Sequence, residues 1–183
     1  VNLANCRSGE YEGLKNKLRD VKWKPDYGPN KFNETVAKFG AVAIGARDFL
    51  VAYNINLNTT STRRANSVAF DLREAGRVKS EGGTLTGKII CDKNGEPVRE
   101  PGYFKNLKGI GWYIEEYGVA QISYNITNIS TTPLYEVFSK TCERANSRGM
   151  RVTGSELIGL VPKKVLIDTC LLYTSPSPRD TNE

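Results

Sequence analysis

The stretch FLVAYNINLNTT, residues 49–60, decides the fold. β-Branched and aromatic residues dominate it, so it reads as a strand, yet two asparagines sit inside it two positions apart. Strand side chains alternate between faces. Val51, Tyr53, Ile55 and Leu57 therefore share one side, and Leu50, Ala52, Asn54 and Asn56 the other. One face is apolar and the other carries two amides. Asn is a poor strand former, and a merely solvated face would more often use Lys, Glu or Thr, so the amide face is expected to touch something.

Outward from this strand, Ala65, Val68, Ala69 and Leu72 recur at helical spacing, which predicts a helix from about Thr62 to Ala75 with Gly76 as its stop. The segment LKGIGWYIEEYGVAQISYNIT alternates on both sides of Tyr117-Gly118 and predicts a hairpin. On its second strand Ala120, Ile122, Tyr124 and Ile126 face one way and Gln121, Ser123, Asn125 and Thr127 the other. Thr132 as N-cap and Pro133 at the first helical position open a second helix, with Leu134, Val137, Phe138, Cys142 and Ala145 as its stripe and Gly149 as its end. MRVTGSELIGLVP supplies a last strand, and PKKVLIDTCLL begins a further helix. The order strand, helix, strand, strand, helix, strand is the split βαββαβ, or ferredoxin-like, pattern: an α+β class fold with an antiparallel sheet and helices on one face only. The insert at residues 77–103 contains Asn94-Gly95 between two β-like runs, which predicts an inserted β-hairpin with a type I′ turn outside the sheet.

Before the opening strand, Ser8 can cap a helix to about Asp20 with Tyr11, Leu14 and Leu18 on one stripe. A turn-rich loop follows, and then a short strand over residues 40–46. The chain lacks an initiator Met and turns at its end into the Ser/Pro-rich CLLYTSPSPRDTNE, so it reads as a fragment whose residues 171–183 are a non-native tail. With 26 basic and 20 acidic residues the net charge is +6, which permits an anionic partner without identifying one. The four cysteines, Cys6, Cys91, Cys142 and Cys170, lie far apart at no metal-ligand spacing and read as reduced thiols. No signal peptide or long apolar run is present, so the expected compartment is cytoplasmic, with no membrane partner and no metal.

The chain contains no histidine, which removes the commonest general base and every Ser-His or Cys-His arrangement. Asp26, Glu115, Glu116 and Glu156 remain as carboxylates, without forming an evident acid/base pair. Gly109 and Gly111 share one strand face, where missing side chains admit either a ligand or another backbone. The aromatic strand KGIGWYIEEY is somewhat like that of RNA-recognition motifs, which also expose a sheet face of this fold. The first and third strands, however, offer Asn, Ser and Gln where stacking rings would be needed, so nucleic acid is not the expected partner.

Taken together and in order, CRSGEYEGL, PDYGP, GARDFLVAYNINL, LREAGR, KGIGWYIEEYGVAQIS and VTGSELIGLVP resemble the formiminotransferases (glutamate formimidoyltransferases) over about residues 3–170. The resemblance implies two related ferredoxin-like subdomains. Residues 1–20 would end the N-terminal subdomain and form a linker helix, and residues 21–170 would be the C-terminal subdomain. It implies transfer of the formimino group from N-formimino-L-glutamate to tetrahydrofolate, a late step of histidine degradation, with the folate in a groove between subdomains. The folate contacts carry over to Gly28, Pro29, Asn30, Lys31, Phe32, Lys38, Phe39 and Gly40, and to Gly102. Across residues 33–38 this loop is longer than in the animal form. The family's acid/base histidine lies on the first subdomain, so no catalytic residue is assigned in this chain. The uncharged polar residues Asn54, Asn56, Ser123 and Asn125 are expected to front the substrate groove, because uncharged donors and acceptors suit a pterin, an amide and an amidine. The long insert resembles the bacterial, Bacteroides-like form, and a homodimer of the full enzyme is compatible with the family.

Overall fold

The computed structural model describes residues 22, 24–29, 31, 33–40, 42, 44, 48–83 and 87–173. The chain divides into two compact units, Val1–Ala46 and Arg47–Glu183. In the first, α1 (Glu34–Phe39) stands inside what the sequence predicts as a turn-rich loop. Asn33 caps it by accepting from the Val36 N–H at 2.9 Å, Glu34 and Lys38 complement its dipole, and Gly40 ends it at φ 72°. Those four residues were a legible helix signal over too short a span to show periodicity. The helix expected at residues 8–20 lies outside the described residues. In the strand expected at 40–46, the described Gly40, Val42 and Ile44 are not extended into a sheet.

The second unit is built on a four-stranded antiparallel sheet of β1 (Val51–Leu57), β4 (Leu107–Ile114), β5 (Val119–Ile126) and β6 (Val152–Ile158), in the spatial order β4-β5-β1-β6. The helices α2 (Thr62–Leu72) and α3 (Leu134–Ser147) complete the βαββαβ order, and α4 (Lys163–Tyr173) follows β6. This is the ferredoxin-like arrangement, with the first and third strands of the motif at the centre. Val51, Ile55 and Leu57 of β1 and Ala120, Ile122, Tyr124 and Ile126 of β5 are fully buried, as alternation requires. They meet Ala65, Val68, Ala69 and Leu72 of α2, and Leu134, Val137 and Ala145 of α3. The Tyr124 hydroxyl, 3.2 Å from Thr141 Oγ1, links sheet to α3, and burial pushes its pKa well above the usual tyrosine range.

Several boundaries differ from expectation for identifiable reasons. α2 stops at Leu72, short of the expected Ala75, because the Tyr103 and Phe104 N–H groups take the carbonyls of Asp71 and Leu72 and Arg73 turns extended. Thr132 does not cap α3; its hydroxyl donates to the Lys105 carbonyl, and Pro133 occupies the cap position without a side-chain bond. α4 runs through Tyr173, three residues into the stretch expected to be tail. The insert is a two-stranded ribbon of β2 (Arg77–Val78) and β3 (Arg99–Glu100), extended by bridges Ser80–Ile89 and Cys91–Pro97. Its tip is not type I′. The Gly95 N–H donates to the Asp92 carbonyl and Gly95 alone has positive φ (81°), which is a type I turn followed by a left-handed glycine. Asp92 moves the turn one residue earlier, because its carboxylate accepts from the N–H groups of Asn94 and Glu96.

The two glycines of β4 serve packing, the less eventful of their two readings. A Cβ on Gly111 would sit 2.6 Å from the Asn66 nitrogen, and one on Gly109 2.8 Å from the Tyr124 ring. The space lets α2 close the sheet edge. Outward carbonyls of β4 are taken in turn by Glu74 N–H (Leu107, 2.8 Å), Arg73 Nη1 (Gly109, 3.2 Å) and Asn66 Nδ2 (Gly111, 3.1 Å). Asn66 Oδ1 also accepts from the Gly111 N–H at 2.9 Å, so one side chain stands in for a neighbouring strand. We expect Gly111→Ala to cost about 1–3 kcal/mol by overpacking, and Gly154→Ala, whose Cβ would meet nothing closer than 3.9 Å, to stay within about half a kcal/mol. Urea unfolding of the two variants checks the contrast.

Candidate active site

With both helices of the motif on one side, the other side of the sheet is lined by Ala52, Asn54 and Asn56 of β1, Gln121, Ser123 and Asn125 of β5, Lys108, Ile110, Trp112 and Ile114 of β4, and Gly154, Glu156 and Ile158 of β6. The register places Asn54 beside Ser123, Ala52 beside Asn125 and Asn56 beside Gln121. The four expected groove residues Asn54, Asn56, Ser123 and Asn125 are therefore contiguous. The sequence leads one to expect an open amide face, but Asn54 is only 9% exposed. Neighbouring side chains cover it.

Those neighbours form one network. Gln121, 1% exposed, accepts from the Trp112 indole N–H at 3.0 Å and donates to Asn56 Oδ1 at 2.7 Å and to Glu156 at 3.1 Å. Asn54 Nδ2 approaches the same Glu156 oxygen at 3.5 Å. Tyr117, on the β4–β5 turn, hydrogen-bonds to Glu156, and that bond with the adjacent carboxylate charge holds its hydroxyl pKa above the ordinary tyrosine value. Asn54, Trp112, Ile114, Glu116, Tyr117, Gln121 and Glu156 line an open pocket of about 300 Å³. Of these seven residues only Asn54 is an expected groove residue; Glu116 and Glu156 are expected only as unassigned carboxylates, and Trp112, Ile114, Tyr117 and Gln121 carry no expected site role. Gln121 was legible as a face partner of Asn56, whereas Glu156 depended on knowing that β6 pairs with β1 at Asn54.

The loop candidates lie in the first unit. Gly28, Pro29, Lys31, Lys38, Phe39 and Gly40 are exposed, with Lys38 Nζ 5.4 Å from the Phe39 ring centre. Asn30 and Phe32 lie outside the described residues. The extra length expected at residues 33–38 coincides with α1. Gly102 packs against backbone at the end of α2, where a Cβ would be 2.0 Å from the Arg73 carbonyl oxygen, so its lack of a side chain has a structural cause. No cluster of three or more His, Cys, Asp or Glu able to hold a metal occurs among the described residues. No helix among them is long and apolar enough to cross a membrane.

The ferredoxin-like unit thus has helices on one sheet face and the polar strip of Asn54, Asn56, Gln121, Ser123 and Asn125 on the other. Comparison with known proteins narrows the class. The family model described as "Formiminotransferase domain" matches residues 52–179, and that of its N-terminal subdomain matches residues 1–47. The chain belongs to the formiminotransferase domain family. It is 40% identical over 171 residues to the formimidoyltransferase-cyclodeaminase of Sus scrofa, covering 93% of this chain and 27% of that protein. It is 41% identical over 165 residues to its counterpart in Dictyostelium discoideum (90% and 26%). To the glutamate formimidoyltransferase of Streptococcus pyogenes serotype M1 it is 36% identical over 172 residues (94% and 48%). The chain thus spans about a quarter to a half of the length of these curated relatives.

Two measurements test the network. Gln121→Leu should destabilise the domain by about 1–3 kcal/mol, because it leaves Asn56, Trp112 and Glu156 short of partners, while Ser123→Ala should fall within about half a kcal/mol. Although exposed, Tyr117 should ionise at higher pH than a free tyrosine, and Glu156→Gln should bring its midpoint down in a difference absorbance titration. The sign follows from a raised folded-state pKa. Any stability Tyr117 confers is complete below the unfolded tyrosine pKa and disappears as pH rises through the elevated one.

Proposed function

We propose that the protein to which this chain belongs is a glutamate formimidoyltransferase, which moves the formimino group of N-formimino-L-glutamate to N5 of tetrahydrofolate and releases glutamate. This chain would supply part of the folate site, and the remaining transferase unit the family's acid/base histidine. The sequence reading sets the subdomain boundary at residues 20–21; a boundary near residues 46–47 is the reading we favour, supported by the division of the chain into units there and by family matches that end at 47 and begin at 52. The observation that carries the proposal is the uncharged polar strip Asn54, Asn56, Gln121, Ser123 and Asn125 at the centre of the helix-free sheet face.

The chemistry favours such a strip. The folate N5 attacks the amidine carbon, a tetrahedral centre forms, and the bond to the glutamate nitrogen breaks as a proton moves from N5 to that nitrogen. Side-chain amides can donate to one partner and accept from another throughout, without fixing a charge beside the reacting centre. Lys31 and Lys38, exposed in the loop that resembles the folate loop, are suited to the glutamate carboxylates. The cytoplasm, where folate one-carbon transfers operate, is the compartment that fits. An RNA-binding role gains nothing here: the central strands β1 and β5 turn Ala52, Asn54, Asn56, Gln121, Ser123 and Asn125 to this face, with no ring on which a base could stack.

The test uses the full-length enzyme and this chain side by side. The full-length protein should transfer formimino groups, and the isolated chain should not, since it contains no histidine. In the full-length protein Asn54→Leu should lower transfer about tenfold while costing about 1 kcal/mol of stability or less, the scale of one weak hydrogen bond. Ile55→Asn should cost about 3–5 kcal/mol, because it puts an amide beneath the helices. Transfer by the isolated chain, or the reverse pattern of the two substitutions, would refute the proposal.

A further inference from the structure

Glu156 has an environment that the fold does not explain. It is a half-buried carboxylate whose neighbours among the described residues, Asn54 and Gln121 within 3.5 Å and Tyr117 beside them, are all neutral. Buried or half-buried carboxylates are ordinarily paired with a cation, and a glutamine would fit the same amide network without the cost of desolvating a charge. A second carboxylate, Glu116, lines the same pocket, and no lysine or arginine is among the described residues lining it. The pocket's flat wall is Trp112, a residue 47% exposed, whose indole N–H is bonded to Gln121. A volume of about 300 Å³ admits a head group, not an entire folate.

We infer that this pocket binds the planar N–C–N donor edge of an amidine-type group, with Glu156 as the acceptor of its N–H groups and Trp112 as the surface on which it lies. A carboxylate offers about four acceptor positions, so the donors from Asn54 and Gln121, both on one oxygen, leave it able to take more. Two adjacent N–H groups in one plane match a carboxylate in charge-assisted fashion, and a flat cation is favoured over an indole face. Asn54 and Gln121, which both donate to one oxygen of Glu156, hold the carboxylate in place as positioning residues. The inference rests on the transferase proposal, which supplies two molecules with such an edge. One is the formimino group of the donor, an amidinium at neutral pH; the other is the aminopyrimidinone end of tetrahydrofolate.

The experiment compares the full-length enzyme with its Glu156→Gln variant, which keeps size and hydrogen bonding and removes charge. The KM for one substrate should rise about ten- to hundredfold, the scale of a charge-assisted hydrogen bond, with the other KM within about twofold and the melting temperature little changed. A rise for N-formimino-L-glutamate assigns the formimino group, and N-formyl-L-glutamate, which lacks the second N–H, should then bind the two enzymes equally. A rise for tetrahydrofolate assigns the pterin, and an analogue with methyl in place of the 2-amino group should then lose its discrimination in the variant. Both results support the pocket. Unchanged KM values, or both rising together with a fall in melting temperature, would overturn it while leaving an active wild-type enzyme and the transferase proposal intact. A wild-type protein with no formimino transfer would remove both.

Discussion

The contact between α2 and the side-chain-free positions of β4 governs the rest of the second unit. Because Gly109 and Gly111 present no Cβ, α2 descends until Ala65 and the Asn66 backbone would touch one. From that depth Asn66, Arg73 and Glu74 reach past the strand and occupy its outward carbonyls. An edge strand is otherwise a template for unwanted pairing, so the same approach that seals the apolar core also blunts the edge. Asp71 of α2 is held by Arg77 from the insert and Arg148 at the end of α3, which ties both of those elements to α2. With one face consumed in this way, all polar specialisation falls to the other.

On that other face the poor strand propensity of asparagine is offset by side-chain amides bonding to one another across strands. Gln121 is central because it is both buried and bifunctional: its oxygen fixes an indole and its nitrogen fixes Asn56 and Glu156. Networks of this kind are stable only when nearly every member is satisfied, so substitution is expected to be felt by several partners together.

The alternation of β1 and β5 and the helical stripes of α2 and α3 were legible because burial imposes periods of 2 and 3.6 on residue choice. Contiguity of Asn54, Asn56, Ser123 and Asn125 followed from the same alternation once the βαββαβ order was known. What escaped the sequence depended on pairing across long separations. Glu156 lies 102 residues from Asn54, and nothing local to SEL marks it as a network member. Gly109 and Gly111 had two readings until the helix above them was located. The tip of the insert illustrates a different limit: Asn94-Gly95 is a strong two-residue turn signal, but Asp92 two positions earlier captures the backbone N–H groups and selects a three-residue loop. The short α1 fell below the length at which periodicity is visible, although its caps were plain.

The ribbon between α2 and β4 bears on how the family varies. Its two ends are clasped by the Arg77–Glu100 pair, and among its described residues Lys79, Glu81, Ile90, Asp92 and Val98 donate backbone hydrogen bonds within the insert. At its base Arg77 also reaches Ser67 and Asp71 of α2, so the described part of the insert is anchored close to where it leaves the domain. Extending the ribbon adds little closure entropy, about 0.6 kcal/mol for each doubling of a flexible loop. Lineages can accordingly lengthen, trim or re-sequence this excursion while the core and the polar face evolve under separate constraints, which makes it the natural place for members of one family to diverge.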